Sequence, residues 1–149
     1  DAASVERRLH DVTNALGQAT SYPRYNKSGQ VLRMVDANGV VTDNTYDLRQ
    51  RLTSSTFGGQ QTAYAYDPVG QLVRVTLPDA TTFAYTWDDA HRLVKIVDQA
   101  GNSVTYTLDY SSNVTAEDVK DSRGYALTRR VMRTFDALGR LQQVTGAPQ

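Results

Sequence analysis

Apolar and polar residues alternate with a period of two in short runs along most of the chain, and glycine, proline, asparagine or aspartate bounds each run. Thr62, Tyr64 and Tyr66 alternate with smaller residues, as one face of a half-buried strand requires. Asp67-Pro68-Val69-Gly70 then carries turn chemistry, a proline with preset φ and a glycine free to take positive φ. Leu72 to Leu77 reads as the return strand, with Val73, Val75 and Leu77 on one face and Leu72, Arg74 and Thr76 on the other. Pro78-Asp79-Ala80 turns the chain again and starts the next unit.

The same grammar recurs in register. Six stations begin Tyr25-Asn26, Tyr46-Asp47, Tyr66-Asp67, Trp87-Asp88, Leu108-Asp109 and Phe135-Asp136, at intervals of 21, 20, 21, 21 and 27 residues. A period near 21 holds two strands and two turns but leaves no room for a helix and its crossover. A turn glycine follows the anchor by four residues at Gly29, Gly70 and Gly139, and becomes Gln50, His91 and Ser112 elsewhere. A second site, seven residues before the anchor, holds Gly39, Gly59, Ala80 and Gly101. Position five after the anchor is always polar (Gln30, Arg51, Gln71, Arg92, Asn113, Arg140), and the next is always apolar. The expectation is an all-β fold of tandem hairpins forming a curved, mainly antiparallel sheet, one array over 1–149. Its long last interval predicts a protruding loop or lengthened hairpin at about 111–130. Stacked hairpins bury a shared face that one hairpin alone does not, and 149 residues suffice for a real core.

Composition narrows the function. The 16 Lys+Arg balance the 16 Asp+Glu, so net charge gives no reason to expect a nucleic-acid or anionic-membrane partner. No apolar run approaches a membrane span. Cysteine is absent, so disulfides contribute nothing. No signal peptide is visible and the chain opens at Asp1, which predicts a piece of a longer polypeptide whose end strands need partners.

Candidate chemistry is sparse. A nucleophile, base and orienter are not assembled: only His10 and His91 are histidines, and His91 fills a turn slot. Asp36-Ala37-Asn38-Gly39 begins like a calcium loop but lacks the later ligands. Asp88 and Asp89 would point to opposite sides if their strand continues, and Gly58-Gly59 has no following lysine to cradle phosphate. The residues therefore predict no catalytic site, metal or cofactor. Tyr64, Tyr85, Trp87 and Tyr106 suit packing between strands, and stacking on a ligand is the second reading.

An aromatic–Asp pair, then x-x-Gly-Arg/Gln-Leu, then an apolar return strand and an Asp-x-x-Gly turn, resembles the YD repeat of Rhs proteins. Tyr66-Asp67-Pro68-Val69-Gly70-Gln71-Leu72 and Phe135-Asp136-Ala137-Leu138-Gly139-Arg140-Leu141 match best, and the likeness runs from about Val12 to Gly146. Arg49-Gln50 and Ala90-His91 lack the turn glycine, and Leu108 lacks the aromatic, which leaves the turn geometry open there. The resemblance implies a β-sheet spiral wound into a hollow shell that encloses a C-terminal toxin domain, as in bacterial polymorphic toxins and toxin complexes. It implies secretion or export from a bacterium as a delivered effector, often by type VI secretion. The implied partners are the remaining shell, the enclosed toxin domain and the secretion or injection apparatus. A surface module whose aromatics bind glycan or a cell-surface receptor is the alternative. The family's self-cleavage motif, of D-P-x-G-L type, agrees with Asp67-Pro68-Val69-Gly70 before Gln71 intervenes, and the in-register position makes this stretch an ordinary repeat turn.

Overall fold

The computed structural model describes residues 8–122 and 127–146, and all of its regular structure is β. The chain divides into two compact units at Tyr64/Ala65. The first contains β1 (Asp11–Thr13), β2 (Ala19–Tyr25), β3 (Val31–Val35), β4 (Val41–Tyr46) and β5 (Leu52–Phe57), with most of β6 (Gln60–Tyr66). The second contains β7 (Leu72–Thr76), β8 (Thr82–Trp87), β9 (Leu93–Asp98), β10 (Ser103–Leu108), β11 (Val114–Lys120), β12 (Leu127–Phe135) and β13 (Leu141–Thr145). Within each unit, every strand pairs antiparallel with the strand that follows it. The fold is thus a train of hairpins, as the two-turn repeat requires.

One backbone device makes nearly all the turns. The N–H of a residue i donates to the carbonyl of i+4 at 2.8–3.1 Å, and the N–H of i+3 returns to the carbonyl of i at 2.9–3.2 Å. It recurs with i at Asn14, Asn26, Asp36, Asp47, Asp67, Leu77, Asp88, Asp98, Asp109 and Asp136. Residue i+3 is left-handed in each, including the non-glycines Gln50 (φ 65), Ala80 (φ 67), His91 (φ 61) and Ser112 (φ 67). Loss of the glycine therefore leaves the turn intact, at a steric cost of about 1–2 kcal/mol per L-residue. The Gly58–Gly59 turn differs. Phe57 pairs directly with Gln60 across two left-handed glycines, the preferred two-residue hairpin loop. That loop is one residue shorter than the others, which accounts for the interval of 20.

A second irregularity sits beside five of the six anchors. Thr86 faces Lys95 while Trp87 faces Leu93, so Val94 has no partner. The same one-residue bulge falls at Leu32, Thr53, Thr115 and Gln142. A bulge turns successive side chains toward one face, which explains why pairs such as Leu93-Val94 are both apolar where strict alternation would predict one polar member. The long last interval is a lengthened hairpin: β11 and β12 pair from Ala116–Met132 to Lys120–Leu127. Arg123 and Gly124, also expected in that insertion, lie outside the described residues.

The expected core does not form. Among the described residues, Val131 at 8% exposure is the one buried hydrophobic side chain. A lone layer of strands has no opposing layer to exclude water, so its apolar side chains only half-bury one another. The αL demand gives a direct test. Gly29 and Gly139 sit at φ 82 and φ 74 with open space where a Cβ would go. Gly29→Ala and Gly139→Ala should each lower stability by about 1 kcal/mol through backbone strain alone, read as a shift in denaturation midpoint with unchanged slope.

Candidate functional site

The recurring constellation is structural, and it starts with the side chain of turn residue i. Its Oδ1 accepts from the backbone N–H of i+4 in nine turns, from Gln18 at Asn14 to Arg140 at Asp136. In most it also accepts from the N–H of i+2, as Asp47 does from Arg49 and Asp88 from Ala90, both within 3.0 Å. The Leu77 turn has no such side chain, and Asp79 takes the Thr81 N–H instead. The second terminal atom of residue i binds the side chain of i+4. Arg51, Arg92 and Arg140 donate Nε–H to Asp47, Asp88 and Asp136 at 2.7–2.8 Å. Asn102 and Asn113 do the same for Asp98 and Asp109, and Gln18 and Gln30 pair with Asn14 and Asn26. Five of the six polar residues at position five after the anchor make this contact; the Gln71 side-chain nitrogen is buried without a partner among the described residues.

These bonds set the electrostatics. The Arg92 side chain, then its backbone N–H, holds the Asp88 carboxyl below the usual carboxylate range. The Arg51 N–H does so for Asp47 and the Arg140 N–H for Asp136. The Asn102 and Asn113 side chains lower Asp98 and Asp109.

The anchors form a second constellation. The ladders β1–β2, β3–β4, β7–β8 and β9–β10 each run for three residue pairs next to their turn and then stop. At the open end of three of them an anchor bridges the gap. Tyr46 Oη donates to the Val31 carbonyl at 3.1 Å, Trp87 Nε1 to the Leu72 carbonyl at 2.9 Å, and Tyr25 Oη to the Leu9 carbonyl. Each accepting carbonyl lies five residues before the next turn's residue i. Leu108 and Phe135 occupy the same place without a donor. Tyr66 ends β6, half-buried like the other aromatic anchors.

Polar side chains also reach turn carbonyls 17–20 residues further along the chain. Arg8 Nη1 donates to the Asn26 carbonyl at 2.6 Å, Gln30 Nε2 to the Gln50 carbonyl at 2.7 Å, and Arg92 Nη1 to the Asp109 carbonyl at 2.7 Å. Asn113 spends its short amide on Asp109, and Phe135 donates nothing. Between the Asp109 and Asp136 turns a cleft of about 580 Å³ opens, with Thr107, Asn113, Thr115, Met132, Arg133 and Phe135 on its walls.

The glycines of the sequence reading fall into two classes. Gly29, Gly39, Gly70, Gly101 and Gly139 occupy i+3 of the stapled turn, while Gly59 belongs to the two-residue loop. Tyr85 and Tyr106 share one face with Phe83, Trp87, Ile96, Val104 and Val119, by register and alternation. In the first unit, Tyr64 lies on the face of Thr62. All three tyrosines are half-buried. Among the described residues no group of three or more His, Cys, Asp or Glu is placed to hold a metal ion, and no helix is long and apolar enough to cross a membrane. Sequence reasoning missed the staple, the anchor bridge and the bulge. The signal for the first was present: Asn or Asp at i together with a glycine-like residue at i+3, in both turns of a unit.

Four overlapping stretches, 25–62, 46–82, 66–102 and 87–126, match the model of the RHS Repeat. The chain belongs to the RHS-repeat family. It is 26% identical over 127 residues to double-stranded DNA deaminase toxin A of Burkholderia cenocepacia (strain H111), covering 80% of this chain and 8% of that protein. Its fold is similar to a chain in the crystal structure of TcdB2-TccC3 (TM-score 0.75, 19% identity), covering 86% of this chain and 7% of that one. The structure of TcdB2-TccC3 without its hypervariable C-terminal region gives a TM-score of 0.74 at 20% identity, with the same coverage. The chain therefore spans under a tenth of the length of each of these relatives.

A carboxyl with a depressed folded pKa contributes stability that is complete above its unfolded pKa and is lost as pH falls through the folded value. The thermal midpoint should hold between pH 7 and about 5 and drop below about pH 4. Asp88→Asn, which keeps the Oδ1 acceptor as Asn26 does, should cost less than Asp88→Ala in the same thermal scans. For the anchor bridge, Tyr46→Phe removes one donor and should cost about 1 kcal/mol in chemical denaturation.

Proposed function

We propose that this stretch is a non-catalytic part of a wall that encloses a C-terminal toxin polypeptide until delivery. The observation that carries the reading is the absence of a packed core. Strands that are nearly all half-exposed, yet hydrogen-bonded to the next throughout each unit, suit a thin barrier with two surfaces better than a globular domain. The stapled turns serve the same end, since they hold the hairpins without help from a second layer. Family membership supports it, as does the likeness to chains from toxins that are many times longer. A structure without a hypervariable C-terminal region implies that the relative carries such a region, the position the reading assigns to a guest. The deaminase activity in the name of the Burkholderia relative belongs, on this reading, to a different part of that protein.

The partners are then the remaining repeats, the enclosed domain, and a secretion or injection apparatus, with type VI secretion as the route the resemblance implies. The protein that contains this chain is exported from a bacterium. The anchors act as wall joints: Tyr46 and Trp87 spend their polar atoms on neighbouring strands, which leaves only their ring faces for a ligand.

Native protein containing this chain, treated with a broad protease and analysed by mass spectrometry, tests the proposal. Survival of a non-repeat C-terminal piece beside the repeats, lost once the wall is denatured, is the expected result. Digestion of that piece while the repeats persist would reject enclosure.

A further inference from the structure

We propose that the polar face of β7–β12 is a docking surface for an anionic polysaccharide. The pairing register puts Arg74 in one cross-strand row with Ala84, Val97, Ser103 and Lys120. The row beside it, two residues along each strand and so on the same face, holds Thr86, Lys95, Thr105, Asp118 and Arg130. Arg74, Lys95, Lys120 and Arg130 are all exposed. Asp118 is the single acid in the two rows, and Arg130 grips it through two bonds of 2.6 Å. Arg74 and Lys95 form no ion pair among the described residues. Four cations against one carboxylate leave this face positive in a chain whose net charge is zero.

The compensating acids sit elsewhere. They crowd the turns, where Asp36, Asp98 and Asp109 are tied to backbone N–H groups and have no arginine at i+4. Folding thus separates charges that the composition shows as balanced. With strands about 4.8 Å apart, Lys95 and Arg130 stand about 14 Å from one another. Thr86, Ser103 and Thr105 place hydroxyls between the cations.

Repeated compact anions along an extended chain, such as the sulfates and carboxylates of an acidic polysaccharide, match such an array of charge and hydroxyls. Nucleic acid fits it less well. Single strands are held by aromatic stacking, and Phe83, Tyr85, Trp87 and Tyr106 all lie on the opposite face. A broad sheet face cannot enter a duplex groove, which admits a helix or a two-stranded ribbon. The surface stands on the placement of charge and holds whether or not the chain encloses a guest.

Heparin oligosaccharide is the probe, titrated into the protein by calorimetry at several salt concentrations around about 0.15 M. Neutral dextran should not bind. The Arg74→Ser/Lys95→Ser/Lys120→Ser variant should bind heparin at least about tenfold more weakly, with a shallower salt dependence. Lys27→Ser/Arg49→Ser/Arg129→Ser has the same net charge and should bind as the parent does. Circular dichroism and the thermal midpoint establish that both variants fold. No heparin binding to the folded parent would overturn the proposal, as would an equal loss in the charge-matched control. So would a short DNA duplex that binds as tightly as heparin through the same three residues.

Discussion

The contact on which the rest depends is the side-chain oxygen of Asn or Asp at the first position of nine turns. A hairpin loop leaves backbone N–H groups pointing into its own concavity, where no strand can reach them. Oδ1 of Asp47, Asp88 or Asp136 accepts from the N–H groups two and four residues on, and satisfies both. That closes the loop at one length and one register. Register in turn decides which side chains share a face, because a slip of one residue would exchange the faces. The staple is local, so it forms without any tertiary support. Strands whose described side chains are almost all part-exposed have need of such a device.

Lateral contacts supply what a second layer would have given. Tyr46 and Trp87 reach carbonyls that their splayed ladders leave unpaired. Gln30 and Arg92 reach from one turn to the carbonyls of the next. Arg92 has both duties, stapling Asp88 and gripping Asp109, and its fixed fork of donors allows it to do so where a lysine's point charge would not. These bonds run across the strands, in the direction in which the repeats succeed one another. Units can therefore be added without redesign of an interior, a property suited to a long wall. Both contacts are missing between the Asp109 and Asp136 turns, and a cleft lies there.

Much of this was legible in the sequence. The period fixed two strands and two turns per unit, since intervals near 21 admit little else. The glycine slots marked the left-handed positions, and the polar residue after them marked the staple's partner. The signal was less complete for the bulges, because Leu93-Val94 looks like a strand that merely fails to alternate. It placed Gln50, Ala80, His91 and Ser112 in glycine slots but did not decide that they keep a glycine's conformation, as they do. At Gln50, His91 and Ser112 local staples offset the steric cost, and no propensity table for single residues contains that balance.

The sequence by itself determined the repeat, the turn positions and the family resemblance, because each rests on residues within a few positions of one another. The tertiary structure decided what depends on distant residues meeting. Cross-strand register brings Arg74, Lys95, Lys120 and Arg130 to one face and Phe83, Tyr85 and Tyr106 to the other. Composition sums charge without regard to face, so the balanced total gave no reason to expect an anionic partner, and chain length alone predicted a real core. Pairing separated the charges, and a lone layer had nothing to bury its apolar face against.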